Sequence, residues 1–114
     1  MSKLKIDKLY QQAEEKYEEG DYSEAFKILE KCKNLNEHDA RIYELKGNIY
    51  DQYLQDRKLA ITEYEKAIDL DPNKWSTWYN LGVCRGRNGS INLAISAYNQ
   101  VIELNPECGD AYYN

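Results

Sequence analysis

Histidine and cysteine, the side chains most used for metal binding and nucleophilic catalysis, are scarce in this sequence. It has one histidine, His38, and three widely spaced cysteines, Cys32, Cys84 and Cys108, among 114 residues. A zinc site needs several converging ligands, and an odd number of cysteines without a C-x-x-C pair does not suit a disulfide framework. We therefore expect no metal, no cofactor, an exposed turn at His38, and a reducing, cytoplasmic compartment with the nucleus not excluded.

Long apolar runs and excess positive charge are also absent. No stretch approaches the roughly 20 apolar residues that a membrane span requires, and the N-terminus has no apolar segment typical of a signal peptide. The net charge is -5, which argues against a surface that follows nucleic-acid phosphates. We expect a protein that neither inserts into a membrane nor binds nucleic acid.

Motifs for catalysis and nucleotide binding are missing as well. The six glycines are scattered and form neither a P-loop nor a dinucleotide-binding fingerprint. The segment CRGRNGS is similar to an RNA-binding element, but arginines at a helix end more commonly interact with the helix dipole. Carboxylates are abundant, yet nothing singles out a pair as acid and base. We therefore expect no enzymatic activity.

The sequence instead contains a repeat. Four residues near the middle of the chain, Ala60, Tyr64, Leu70 and Pro72, recur 34 positions later as Ala94, Tyr98, Leu104 and Pro106. Several positions that share one period are the signature of a repeat architecture. The composition favours helices, and no segment alternates as a strand does, so we predict an all-α fold.

Each repeat predicts two antiparallel helices. In the segment WSTWYNLGVCRGR, apolar residues recur at three- and four-residue spacing, as on one face of a helix. The next segment, NGS, supplies a turn, Ser90 is a candidate cap for the helix that follows, and Pro106 ends that helix. Small residues such as Gly47 and Gly82 mark where paired helices approach closely, opposite large aromatic side chains.

These residues resemble the tetratricopeptide repeat (TPR), whose pattern is W-x2-L-G-x2-Y, then A-x3-F, then P. The most complete unit carries Trp78, Leu81, Gly82, Ala94, Tyr98 and Pro106. The resemblance implies a right-handed superhelical solenoid of antiparallel helix pairs, a single TPR domain over 1–114. Its repeats are expected at about 6–39, 40–74 and 75–108, with 109–114 the truncated start of a fourth, so we expect the N-terminal part of a longer array.

Two departures from the TPR pattern are visible. Arg85 stands where the third unit should have an aromatic residue. The second unit has one extra residue and no glycine between its helices, in the segment QYLQDRKLA. Either a longer turn uses Leu54 or Leu59 in place of the missing aromatic side chain, or this loop is shaped for a partner.

The resemblance also implies a concave groove that is lined by the first helix of each unit and holds a peptide. The residues expected to face it are Asp7, Tyr10, Gln11, Glu14, Tyr17, Arg41, Glu44, Leu45, Asn48, Gln52, Ser76, Tyr79, Asn80, Val83, Arg87, Asp110, Tyr113 and Asn114. Tyrosine offers apolar area with a hydroxyl, and asparagine pairs with both groups of a peptide backbone. We predict peptide contacts from Tyr10, Arg41, Glu44, Asn48, Tyr79, Asn80 and Arg87.

Some TPR domains bind the C-terminal carboxylate of heat-shock chaperones through lysine, arginine and asparagine side chains of three successive units. The corresponding positions here hold Tyr10, Glu14, Leu45, Ser76 and Asn80. A shift by one unit recovers Asn48 and Asn80, but it puts Glu44, Asp110 and Asn114 at the cationic positions. Acidic side chains there repel a carboxylate, so we predict that such tails do not bind.

The favoured function is a non-enzymatic scaffold or adaptor that binds a protein partner. One alternative is a structural element that stacks into a homo-oligomer through its C-terminal end, because the sequence shows no polar helix to cover Tyr98 and Ile102. A second alternative is an accessory module of a larger enzyme complex.

Overall fold

The structure, a computed structural model, describes residues 2–107 and consists of three helix pairs in this range. The helices are α1 (Ser2–Glu18), α2 (Tyr22–Leu35), α3 (Ala40–Gln52), α4 (Arg57–Leu70), α5 (Trp75–Arg87) and α6 (Ile91–Leu104). Every regular element in the described range is helical, which confirms the all-α prediction. The expectations for Cys108, Asp110, Tyr113 and Asn114 lie outside the described residues.

Aspartate side chains begin three of the six helices. The carboxylates of Asp21, Asp39 and Asp56 accept hydrogen bonds of 3.1–3.2 Å from backbone N–H groups in the first turns of α2, α3 and α4. These N–H groups have no partner inside the helix, so the caps stabilise the helix starts. Ser90 stands at the same position before α6, but its hydroxyl forms no capping hydrogen bond. Its predicted role as a cap is therefore wrong.

The turns inside the pairs differ in their use of glycine. Gly20 and Gly89 adopt φ angles of 84° and 85° in the first and third turns, a conformation that glycine reaches without a steric penalty. The second turn has no glycine, and Gln55 takes a φ of 52° there. This backbone costs a residue with a side chain roughly 1 kcal/mol. The helix after Gly89 ends at Leu104, close before Pro106, as predicted.

The second and third pairs close where a glycine of the first helix meets a tyrosine ring of the second. A methyl group at Gly47 would lie 2.6 Å from the ring of Tyr64, and one at Gly82 would lie 2.8 Å from the ring of Tyr98. Both distances are far below normal carbon–carbon contact, so glycine permits this approach. The predicted close contact of small residues with aromatic side chains is confirmed.

Buried side chains connect the pairs into one stack. Ala67 of α4 packs in the cluster that the first two pairs share, and Trp78 of α5 packs against the two clusters farther along the chain. A helix pair cannot bury both of its faces alone, so each pair depends on its neighbours for a complete core.

Two cysteines belong to this core. Cys32 and Cys84 are fully buried free thiols. Burial raises the pKa of both, and the nearby Asp51 carboxylate helps to raise the pKa of Cys84 to about 11. Cys32 lies at the position that Ala67 and Val101 hold in the other units, which predicts a small core residue there, and this is confirmed. Cys84 is more buried than the semi-buried position that its place in the helix near Gly82 predicts.

The two departures from the TPR pattern have different structural outcomes. Leu54 and Leu59 are both exposed, so neither replaces a missing core aromatic residue. Arg85 is largely buried and donates a hydrogen bond of 2.9 Å to Glu65 on α4, so an ion pair stands where the pattern has an aromatic ring. His38 is exposed in its turn, as predicted.

A buried lysine in α3 was not anticipated. Lys46 precedes Gly47 just as Leu81 precedes Gly82, and it is as buried as an apolar residue would be. Its ammonium group lies 2.5 Å from Glu30 and 5.1 Å from the ring centroid of Phe26. The ion pair and the ring together offset the cost of removing this charge from water.

Candidate functional site

The first helices of the three pairs lie side by side and are joined by polar side chains. Arg41 of α3 donates a 2.7 Å hydrogen bond to Asp7 of α1, and Thr77 of α5 donates one of 2.8 Å to Glu44 of α3. We call the surface of α1, α3 and α5 around these links the first-helix face. The links hold neighbouring first helices at fixed separation, so this face is an ordered surface.

Arg41 is the centre of the first group of side chains on this face. Its guanidinium bonds to Asp39 and Asp7 at 2.7 Å each and lies 4.8 Å from the ring centroid of Tyr10. The hydrogen bond from Arg41 holds the pKa of Asp39 below its usual range, and burial raises the pKa of the Tyr10 hydroxyl. The planar guanidinium and the ring therefore form a rigid, partly exposed platform.

Glu44 lies in the middle of the face and is occupied by protein partners. It is 8% exposed, and its two oxygens bond to Lys74 at 2.5 Å, to Thr77 at 2.8 Å and to Ser76 at 3.4 Å. A buried carboxylate with several donors is stable only while they remain in place. Glu44 therefore positions the start of α5, and both of its oxygens already accept hydrogen bonds from the protein.

Asn48 and Asn80 lie together between α3 and α5. The Tyr64 hydroxyl donates a 2.5 Å hydrogen bond to Oδ1 of Asn48, and Nδ2 of Asn80 approaches the same oxygen at 3.5 Å. Within residues 2–107, this leaves the amide donor of Asn48 and the carbonyl acceptor of Asn80 without a protein partner. One free donor and one free acceptor match the two hydrogen-bonding groups of a peptide unit.

Tyr79 and Arg87 lie at the α5–α6 end of the face. Together with Val83, Ile91 and Tyr98 they line a cleft of 410 Å³. The Arg87 guanidinium is 3.5 Å from Asp51 and remains largely exposed. This cleft combines apolar walls with one accessible cation.

The structure corrects one prediction for the groove and adds two residues to it. Leu45 is 4% exposed and belongs to the first core cluster, so the prediction that it faces the groove is wrong; α3 has a helix pair on both sides, which buries more of its circumference. Lys74 and Thr77, which hold Glu44, were missed. Lys74 lies before α5 and Thr77 is an isolated polar residue, so neither carries a periodic signal.

Two further classes of site find no support in the described part of the chain. Residues 2–107 contain no group of three His, Cys, Asp or Glu side chains arranged to hold a metal ion. No helix among them is both long and apolar enough to cross a membrane.

Comparisons with known proteins agree with this architecture. Three family models match the chain, two described as "Tetratricopeptide repeat" over residues 75–108 and 9–39 and one described as "TPR repeat" over residues 54–89. Such repeats commonly mediate protein–protein interactions and are generally not catalytic.

Longer proteins contain similar stretches. Human tetratricopeptide repeat protein 33 is 28% identical over 85 residues, which are 75% of this chain and 32% of that protein. Mouse protein O-mannosyl-transferase TMTC1 is 31% identical over 91 residues, which are 75% of this chain and 9% of that protein. The chain thus spans about a third of the length of the first relative and about a tenth of the second.

Solved structures with the same fold include two peptide complexes. The first TPR of Spaghetti (RPAP3), bound to the HSP90 peptide SRMEEVD, superimposes with a TM-score of 0.89 at 19% identity over 96% of this chain and 89% of that one. The Yersinia enterocolitica chaperone SycD, in complex with a peptide of YopD, gives 0.81 at 22% identity over 96% and 82%. With three stacked helix pairs and these matches along its length, the chain is a TPR solenoid and belongs to the tetratricopeptide repeat family.

Proposed function

We propose that this chain is a non-enzymatic scaffold or adaptor in the cytoplasm that binds an extended peptide of a partner protein on its first-helix face. A single domain over 1–114, with repeats at about 6–39, 40–74 and 75–108, carries this function. The observation that supports it best is the asparagine pair. Within residues 2–107, Asn48 and Asn80 present one unused donor and one unused acceptor at the middle of the face.

The side chains of the face divide into two roles. Asn48, Asn80, Tyr79 and Arg87 contact the peptide, because each keeps polar or apolar surface that the described part of the chain leaves unoccupied. Tyr10 and Arg41 form a platform beside them. Glu44 is a positioning residue, since its oxygens bind Lys74, Ser76 and Thr77.

An acidic chaperone tail is a poor ligand for this face. Among the positions that would have to bind its carboxylates, Glu14 is an exposed acid and Leu45 lies in the core. Like charges destabilise the complex, and a buried leucine offers no hydrogen bond. The peptide we propose therefore binds through hydrogen bonds of its backbone and through contacts with tyrosine side chains, and an acidic C-terminus plays no part.

A peptide library tests this proposal. Peptides are selected on the purified chain from a phage-displayed random library, and their affinities are measured by calorimetry for the parent chain and for Asn48→Ala, Asn80→Ala and Asn99→Ala. Each of the first two changes should weaken binding about five- to tenfold, the value of one hydrogen bond. Asn99, an exposed asparagine on α6, is the matched control and should have no effect.

Two results would refute the proposal. The first is selected peptides that bind Asn48→Ala and Asn80→Ala as tightly as the parent chain, with circular dichroism showing all variants folded. The second is micromolar binding of the peptide SRMEEVD, which would contradict the exclusion of acidic tails.

Self-association is a second candidate function, favoured by the exposed surface of α6. Ile91 and Ile95, one helical turn apart on this helix, are both exposed, and neighbouring exposed apolar side chains are typical of interfaces. End-to-end stacking predicts a molar mass that rises with concentration in light scattering. A monomer mass that stays constant with concentration excludes this function.

A further inference from the structure

An aromatic slot lies at the edge of the solenoid, where α2 begins and α3 ends. Its volume is 400 Å³, and its walls include Tyr22, Phe26, Lys27, Tyr50, Tyr53 and Leu54. None of these residues belongs to the first-helix face. Tyr53 and Leu54 come from the turn with the extra residue, so one wall of the slot is formed by the part of the chain that departs most from the TPR pattern.

The walls of the slot are held in place. The rings of Tyr22 and Tyr53 stack with centroids 4.9 Å apart, and those of Phe26 and Tyr50 meet edge to face at 5.6 Å. Two backbone hydrogen bonds of 2.9 Å, one from the N–H of Tyr53 and one to the carbonyl of Tyr50, secure the turn. A ligand would therefore meet preorganised rings and lose little entropy in ordering them.

The slot exposes large apolar side chains to water. Tyr53 and Leu54 are both more than half exposed, although the turn could have been built from glycine and polar residues as in the other two pairs. Large apolar side chains that are held in water at fixed positions are typical of binding surfaces.

The hydrogen-bonding groups of the slot restrict the chemistry of its ligand. The hydroxyls of Tyr22, Tyr50 and Tyr53 and the ammonium of Lys27 have no protein partner among the described residues, and all four groups can donate. The walls consist of helix ends and one turn, so no strand edge is present to pair with peptide N–H groups. The tyrosine hydroxyls can also accept, but Lys27 can only donate, so the best ligand brings acceptors and compact apolar rings.

We propose that the aromatic slot binds a proline-rich segment of a partner protein in the polyproline II conformation. Proline has no backbone N–H, its carbonyls accept hydrogen bonds from the tyrosine hydroxyls, and its rings pack on aromatic faces without further ordering of the chain. Lys27 is the charged residue of the slot, so an acidic residue beside the prolines completes the fit.

Nuclear magnetic resonance tests this proposal with a capped peptide of sequence EPPLPPE, added to the isotope-labelled chain. The amide signals of Tyr22, Tyr50 and Tyr53 should shift, while those of Asn48 and Asn80 should not. The peptide EAALAAE, which restores the N–H groups and removes the rings, should cause no shifts. Equal binding of both peptides, shifts confined to the first-helix face, or no shifts at millimolar peptide would each overturn the proposal.

Matched variants locate the site. Leu54→Ala should weaken EPPLPPE binding by at least about fivefold, the loss of a moderate apolar contact. Leu93→Ala removes a leucine of equal exposure, 54% against 52%, from α6 outside the slot and should leave the affinity unchanged. Lys27→Gln should weaken binding of EPPLPPE more than that of QPPLPPQ. Equal effects of the two leucine changes, or equal effects of Lys27→Gln on the two peptides, would contradict the assigned contacts.

Discussion

The contact between Gly47 and Tyr64 gives the sharpest test of how the helix pairs pack. In Gly47→Ala the new methyl group would lie 2.6 Å, 2.7 Å and 2.9 Å from three ring atoms of Tyr64. The ring cannot simply move away, because it is 2% exposed and its hydroxyl donates a 2.5 Å hydrogen bond to Asn48. The substitution must either separate α3 from α4 or displace the ring.

The expected loss of stability follows from three opposing contributions. Overpacking a core costs about 1–3 kcal/mol, and loss of the Tyr64–Asn48 hydrogen bond costs about 1 kcal/mol more. Replacing glycine by alanine inside a helix returns about 1 kcal/mol. We therefore expect a decrease of about 2 kcal/mol in the free energy of unfolding, which lowers Tm by roughly 8 °C in a chain of this size.

Gly86 provides the matched control on α5. A methyl group there would lie 3.8 Å from Ala94, an ordinary contact, so Gly86→Ala should instead raise the free energy of unfolding by about 0.5–1 kcal/mol. Urea denaturation followed by circular dichroism at 222 nm, the usual helix signal, measures both values. If Gly47→Ala is as stable as the parent chain, or if the two variants shift stability in the same direction, the inferred close packing is wrong.

Three further predictions concern the charged and thiol groups. Arg41 lowers the folded-state pKa of Asp39, so this carboxylate stabilises the fold above its unfolded pKa, and that stability is lost as pH falls through the folded pKa. Asp39→Asn keeps a capping oxygen but cannot ionise, so its urea midpoint should fall less steeply at acid pH than that of the parent chain. An unchanged dependence on pH would contradict this. Glu30→Gln should lower the free energy of unfolding by about 1–2 kcal/mol, because it leaves the buried Lys46 without its half-exposed counter-charge. Lys46→Met should cost less than 1 kcal/mol, and equal urea midpoints for the two variants would argue against a stabilising role of Glu30 toward Lys46. Burial raises the pKa of the Cys84 thiol to about 11, so this thiol should react with iodoacetamide only as fast as the chain unfolds. Peptide mass spectrometry measures the labelling. Rapid labelling of the native protein at pH 8 would show that Cys84 is accessible.

The fold could be predicted because its signals are local and recur. Gly82 and Tyr98 repeat the spacing of Gly47 and Tyr64, and a period shared by several positions reports a repeated helix pair without knowledge of its neighbours. Ser90 shows where this reasoning stops. A serine before a helix is a good cap by composition, but the capping bond depends on a side-chain rotamer that the pattern does not contain.

The candidate site was harder to predict because it depends on contacts between pairs. The sequence placed Arg41 and Glu44 on the first-helix face, but it could not indicate that Arg41 would bond to Asp7 or that Glu44 would be occupied by Lys74. Long charged side chains reach several partners, and the choice depends on the separation of helices. Lys46 is the extreme case: the repeat register puts it at the leucine position before Gly47, but the sequence gives no indication that Glu30 and Phe26 would surround its ammonium group there.

The links across the first-helix face also make the borders between units specific. Asp7, Arg41 and Ser76 occupy equivalent positions in successive first helices, yet only the first two form an ion pair. Deletion of residues 40–74 would bring Asp7 next to Ser76, which cannot replace the charge of Arg41, and would leave Thr77 without Glu44. The three units share one backbone plan but are not interchangeable, so duplication or loss of a unit in evolution would have to be followed by changes in charge at its borders.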